Sequence, residues 1–182
     1  MMPLTHALVG TGIGMILAPS PVALVACVAG SVAPDWFDSW AVKIKSRWRY
    51  LPKPEWDALY SKQHRTWSHN VCYWLALLMF LIFFEPVKDV IPPEALEVIK
   101  WFIGGILIHI GCDFLNPMGV GFLPFLSSLR ISTADFTRKK YGKGFHIKSK
   151  SLGDILFGCI IFGLCLGYCI YVHKLPFLGE LW

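Results

Sequence analysis

Charge is what this sequence has least of. Only 16% of its 182 residues are Asp, Glu, Lys or Arg, while 55% are hydrophobic. A soluble domain carries about 25% charged residues, so too few polar side chains are present here to cover a globule in water. That shortfall excludes an ordinary water-soluble domain, and a mean hydropathy of +0.53 equally excludes a disordered chain. Other absences narrow the field. The six cysteines form no C-x-x-C pair and no ribbon spacing, so neither a disulfide framework nor a zinc finger is indicated. No Lys or Arg falls in residues 1–5, so a cleaved secretory signal is not expected. A phosphate-binding G-x-x-x-x-G-K-[ST] loop, an internal repeat and a low-complexity tract are also missing.

What is present is apolar sequence in runs. Residues 71–84, 99–115 and 152–172 each approach the roughly 20 residues that a spanning helix needs. The stretch 5–33 is apolar too, but Pro19 and Pro21 interrupt it, and proline inside a helix removes a hydrogen bond and clashes with the preceding turn. It reads as two short helices of about 14 residues, each about 21 Å long at 1.5 Å per residue. The expected fold is therefore all-α: a polytopic membrane bundle with a short N-terminal helical hairpin and three transmembrane helices, one integral-membrane domain over residues 1–182.

Following the chain through five helices places loops 35–66 and 116–151 on the side of the N-terminus. Those two loops hold 14 of the 17 Lys and Arg residues; Lys88, Lys100 and Lys174 remain for the far side. By the positive-inside rule the basic side is cytoplasmic. Trp36, Trp40, Trp48, Trp56 and Trp67 cluster in or beside the first loop, where an interfacial aromatic belt belongs. The basic run 138–150, which includes His146, reads as a juxtamembrane segment attracted to anionic headgroups. With no nucleic-acid-binding motif in the chain, its interleaved aromatics do not imply nucleic acid.

Against this background the intramembrane ionisable residues stand out, because each is costly and marks a functional hypothesis. His109 and Asp113 are four apart in one apolar run and so share a helix face. His64 and His69 flank Arg65-Thr66-Trp67-Ser68 at the entrance of the third helix, with Ser68 as the expected cap. His6 begins the first short helix, and Asp35 and Asp38 follow the second. The hairpin returns these ends to the same membrane face. Every one of these residues thus falls at the basic end of the bundle, and a mixed His and carboxylate shell suits Zn²⁺, Mn²⁺ or Fe²⁺.

Thr5-His6, Pro34-Asp35, the block His64-Arg65-Thr66-Trp67-Ser68-His69, and His109-x-x-x-Asp113 followed by Asn116-Pro117-Met118-Gly119 and Leu123-Pro124 together resemble the YdjM-like family of bacterial inner-membrane proteins. That family is described as membrane-bound metal-dependent hydrolases. The resemblance covers residues 2 to 125, with departures: Thr66 stands where a glycine is usual, Ser68 where a threonine is, Asn70 where a serine is, and two residues rather than one separate Asp35 from Asp38.

The resemblance implies a hydrolase. The residues themselves lead to the expectation of a metal site: His6, Asp35, His64, His109 and Asp113 hold one or two divalent cations, most simply Zn²⁺. His69 is a further ligand or the base that orients a water, and Arg65 offers a guanidinium fork to phosphate. The expected substrate is a phosphoester or ester, lipid rather than soluble, at the cytoplasmic face of the inner membrane. The alternative is a non-enzymatic metal-binding or ion-translocating membrane protein, because buried His and Asp also line ion pathways.

Overall fold

The structure is a computed structural model, and it describes residues 2–63, 67–116, 120–121, 130–131 and 151–172. Its element order is α1 (Pro3–Leu17), α2 (Pro21–Lys45), α3 (Lys53–Gln63), α4 (Val71–Phe83), α5 (Glu85–Val90), α6 (Pro93–Phe114), a two-residue antiparallel pair β1 (Val120–Gly121) and β2 (Arg130–Ile131), and α7 (Leu152–Tyr171). The all-α membrane bundle is thus the observed architecture. The first segment does form two helices, and Pro21 breaks them by standing at the first turn of α2, where its missing N–H has no partner to lose. Ser20 caps that turn, accepting from the Ala23 N–H at 3.2 Å.

Two boundaries differ from the expected ones. α2 does not stop at residue 33 but runs through Pro34 for 25 residues, long enough to cross about 30 Å of hydrocarbon. Pro34 costs one backbone hydrogen bond, and packing overrides that cost: Phe37, on the extension, stacks on Trp67 and Trp74 with ring centroids 5.8 and 6.4 Å away. Conversely, the third apolar run yields α4 of only 13 residues, about 20 Å, because Phe84 leaves helical geometry and Glu85-Pro86 begins α5. Among the described residues, the helices long and apolar enough to cross a membrane are therefore α2, α6 and α7, with α1 and α4 as shorter apolar helices.

Outside, these helices present Val22, Val25, Leu75, Leu77, Met79, Phe83, Ile160, Leu164 and Ile170, a surface suited to acyl chains rather than water. Inside, small residues let backbones touch. A Cβ on Gly30 would collide with the Phe102 carbonyl of α6, and one on Gly105 would collide with the Cys27 carbonyl of α2. Close approach through reciprocal glycines is how membrane helices gain packing without a hydrophobic driving force between them. It also sets the register of α2 on α6, which positions the polar residues described next. The six cysteines are free, as their spacing implied.

Candidate metal centre

The buried polar side chains of the described residues are Thr5, His6, Ser31, Asp35, Asp38, Ser68, His69, Asn70, His109, Asp113, Asn116 and Asp154. Their positions are the first turns of α1 and α7, the middle of α2, the turn before α4 and the C-terminal end of α6. His6 and Asp35 lie with His109, not across the membrane from it.

His109 comes from the penultimate turn of α6. Its Nδ1 lies 2.7 Å from the Ser31 carbonyl, which can only accept, so Nδ1 carries the proton and Nε2 presents its lone pair. This contact depends on the Gly30 and Gly105 approach, one residue and four residues away respectively. His69 reaches the same state by another route. The Ser68 hydroxyl donates to Asp38 Oδ1 at 2.5 Å, leaving its oxygen to accept from His69 Nδ1 at 2.9 Å. Asp38 Oδ2 adds a carboxylate 3.4 Å from that nitrogen. The Trp74 indole holds the turn in place by donating to the Ser68 carbonyl at 2.8 Å.

The consequence is that His69 Nε2 and His109 Nε2 face each other at 3.0 Å. Asp113 Oδ2 lies 3.4 Å from the first and 3.8 Å from the second, and Asp35 Oδ1 lies 3.8 Å from both. Four donors held around one ion at 2.0–2.2 Å in a tetrahedron are separated by about 3.3–3.6 Å. His69, His109 and Asp113, whose donor atoms form one group, therefore have nearly the spacing a tetrahedral cation requires, and their chemistry, two imidazoles and a carboxylate, fits as well. Each of the two imidazoles also has the outer partner at Nδ1 that metal-ligating histidines regularly have.

His6 makes a second grouping. Its donor atom lies within 4.8 Å of those of Asp35 and His109, and its ring stacks on His109 with centroids 3.7 Å apart. It is fully buried, and neither of its ring nitrogens has a hydrogen-bond partner; Nε2 stands 3.5 Å from Asp113 Oδ1. Asp35, with 12% of its side chain exposed against 1% or less for the others, marks where the cluster opens.

Of the residues singled out in the sequence, His6, Asp35, His69, His109 and Asp113 are brought together, with Asp38 directly behind His69. His64, Arg65 and His146 lie outside the described residues. His69 stands among the donors, its Nδ1 held by Ser68 and its Nε2 facing His109 Nε2. Ser68 is not the cap of α4; Asn70 is, accepting from the Cys72 N–H at 3.1 Å, because the Ser68 oxygen is committed to Asp38 and His69. Two features escaped sequence reading. The Ser31 carbonyl carries no side-chain signal. Asp154 looks like an N-terminal helix acid, yet its carboxylate accepts the Met2 N–H at 2.9 Å and its carbonyl accepts from Thr5 at 3.2 Å, fastening α1, and with it His6, to α7.

A family model described as "YdjM inner membrane protein" matches residues 1–175. Comparison with curated proteins and with solved structures finds no match.

Proposed function

The chain belongs to the YdjM inner membrane protein family, and from that premise we propose that it is a metal-dependent hydrolase acting on a phosphoester or ester, lipid in the first instance, at the cytoplasmic membrane face. One observation carries the reading: two imidazole Nε2 lone pairs aimed at each other across 3.0 Å in a buried setting with Asp35 and Asp113. Two lone pairs at that distance repel each other unless a cation is shared between them, which supports a bound cation. A proton would serve the nitrogens alone, whereas a divalent ion would also draw on the carboxylate oxygens of Asp113 and Asp35, 3.4 to 3.8 Å from those nitrogens. Zn²⁺ suits these donors best, with Mn²⁺ or Fe²⁺ compatible.

Bound there, such an ion would supply Lewis-acid chemistry, activating a water near neutral pH. The chain's own residues do the rest. His69, His109 and Asp113, with Asp35 beside them, would hold the ion, and Asp38 with Ser68 fixes the His69 tautomer. His6 Nε2, without a hydrogen-bond partner, is placed to accept a proton next to Asp113. The partly exposed edge of Asp35 gives substrate its approach. Arg65 is four residues from His69, within about 14 Å by chain length, and its guanidinium suits a phosphate oxygen.

The ion-translocating alternative finds less support. Beyond His109 toward the far end of α6, no ionisable side chain is buried among the described residues, whereas a pathway needs a succession of them. The test is the metal content of protein purified without chelator, measured for wild type, His109→Ala and Asp113→Ala. Stoichiometric metal in wild type and its loss in both variants supports a metal centre, and a panel of phosphatase and lipase substrates then separates enzyme from carrier. Wild type without metal would overturn the reading.

A further inference from the structure

The hydrolase reading leaves unused a second polar feature at the same end of the molecule. α2 continues past Asp35 to Lys45, and the chain then turns back through 46–52 into α3. Between them lies a cavity of about 530 Å³ bordered by Lys43, Trp48, Arg49, Tyr50, Lys53 and Trp56. Three of its walls are cationic and none is acidic. Lys43, Arg49 and Lys53 have no ion-pair partner among the described residues. Beside it, on the outer face of α2, runs an apolar groove of about 460 Å³ formed by Trp36, Phe37, Trp40, Ala41, Ile44 and Trp67. Trp40 and Trp48, one from each, meet edge to face with centroids 5.7 Å apart, so the two are adjacent.

The turn that joins them is strained. Ser46 ends α2, and the N–H groups of Arg47 and Trp48 return to the carbonyls of Ile44 and Lys43, both at 2.9 Å. This closing pattern calls for a left-handed residue, usually glycine, after the cap. Here Arg47 (φ 53°) and Trp48 (φ 60°) are both left-handed and neither is glycine. Consecutive strained residues persist where their placement is used, and these set Trp48 against Trp40 and begin the cationic wall.

We propose that this paired cavity and groove is a binding site for an anionic phospholipid: the phosphate headgroup sits among Lys43, Arg49 and Lys53, and an acyl chain lies along Trp36, Trp40 and Ile44. Lipid is the occupant because the groove lies on the exposed face of a membrane-spanning helix, because the cavity is at the basic end of the bundle, and because Trp side chains favour the headgroup boundary. Arg and Lys together match phosphate oxygens in geometry and charge. The site needs no hydrolysis and stands whether or not the metal centre is catalytic.

The test is tryptophan quenching in bilayers by brominated phosphatidylglycerol against brominated phosphatidylcholine, using the full chain. Wild type should prefer the anionic lipid by about tenfold, a conservative figure for three basic groups at a membrane surface. Lys43→Gln/Arg49→Gln/Lys53→Gln should reduce the preference to about twofold or less, with helicity unchanged because all three side chains are on the surface. Lys43→Arg/Lys53→Arg should keep it. Lys88→Gln/Lys100→Gln, which removes charge at the far end of the bundle, should keep it too. Equal quenching by the two lipids, or loss in the control variant rather than the cavity variant, overturns the proposal. So does displacement by inorganic phosphate, which would identify a free phosphate site.

Discussion

His109 donates from Nδ1 to the carbonyl of Ser31 across 2.7 Å, and through that one contact the packing of two membrane helices becomes a property of the candidate metal centre. The carbonyl belongs to α2 one residue after Gly30, whose missing Cβ lets α6 approach. Helix packing, imidazole tautomer and the direction of the Nε2 lone pair are therefore a single chain of cause.

Adding a methyl at either glycine breaks that chain. In Gly30→Ala the new Cβ meets the Phe102 backbone, and in Gly105→Ala it meets the Cys27 backbone. Neither obstacle can rotate away, so the helices must separate. Overpacking costs about 1–3 kcal/mol when side chains can shift, and these two variants should sit at or above the top of that range. Thermal melting in detergent measures the loss, and bound metal should fall with it. A variant that melts like wild type would show that α2 and α6 do not touch here.

Ser68 offers a cleaner test of tautomer control, because its removal leaves the fold alone. With Ser68→Ala, Asp38 and His69 Nδ1 lose the hydroxyl that links them, and the imidazole is free to reorient. Losing such an outer partner costs about 10–100-fold in metal affinity. Titration against a chromophoric chelator should show a drop in that range with unchanged helicity. An unaltered affinity would mean that Asp38 alone fixes the ring.

The distribution of polar residues was legible in the sequence because a charge inside an apolar run has few innocent explanations, and loops counted through the spans put them at one end. What was not legible depended on contacts between distant segments. Pro34 reads as a helix end by local rules, yet Phe37 stacking on Trp67 and Trp74 carries α2 through it. Ser68 has a cap's position, but Asn70 competes for the role once Asp38 draws the hydroxyl away. The Ser31 carbonyl and the hold of Asp154 on Met2 have no sequence signal, since backbone groups look alike until the helices are docked.

Removing the cation should destabilise the bundle as well as any activity. Asp35, Asp113, His69 and His109 share one buried space, and a ligand that binds only the folded state stabilises by about 2.7 kcal/mol at a hundred times its Kd. Adding Zn²⁺ to chelator-stripped protein should therefore raise the melting temperature. In His69→Ala the increase should largely vanish. An equal rise in the variant would place the bound metal elsewhere.

The orientation rests on charge alone and can be tested without reference to activity. Counted along the sequence, 14 of the 17 basic residues, Lys53 among them, lie in the segments 35–66 and 116–151 assigned to the side of the candidate metal centre, and Lys88, in α5, lies on the other. Positive loops stay in the cytoplasm. Cysteines introduced as Lys53→Cys and Lys88→Cys, in a chain with its six native cysteines replaced, should differ in intact cells. A membrane-impermeant thiol reagent should label position 88 and leave position 53 unlabelled until the membrane is opened. The reverse pattern would move the metal centre to the outer face of the membrane, where a cytoplasmic substrate could not reach it. Labelling of both positions would mean that the chain inserts both ways round, and the sorted charge would then have no topological role.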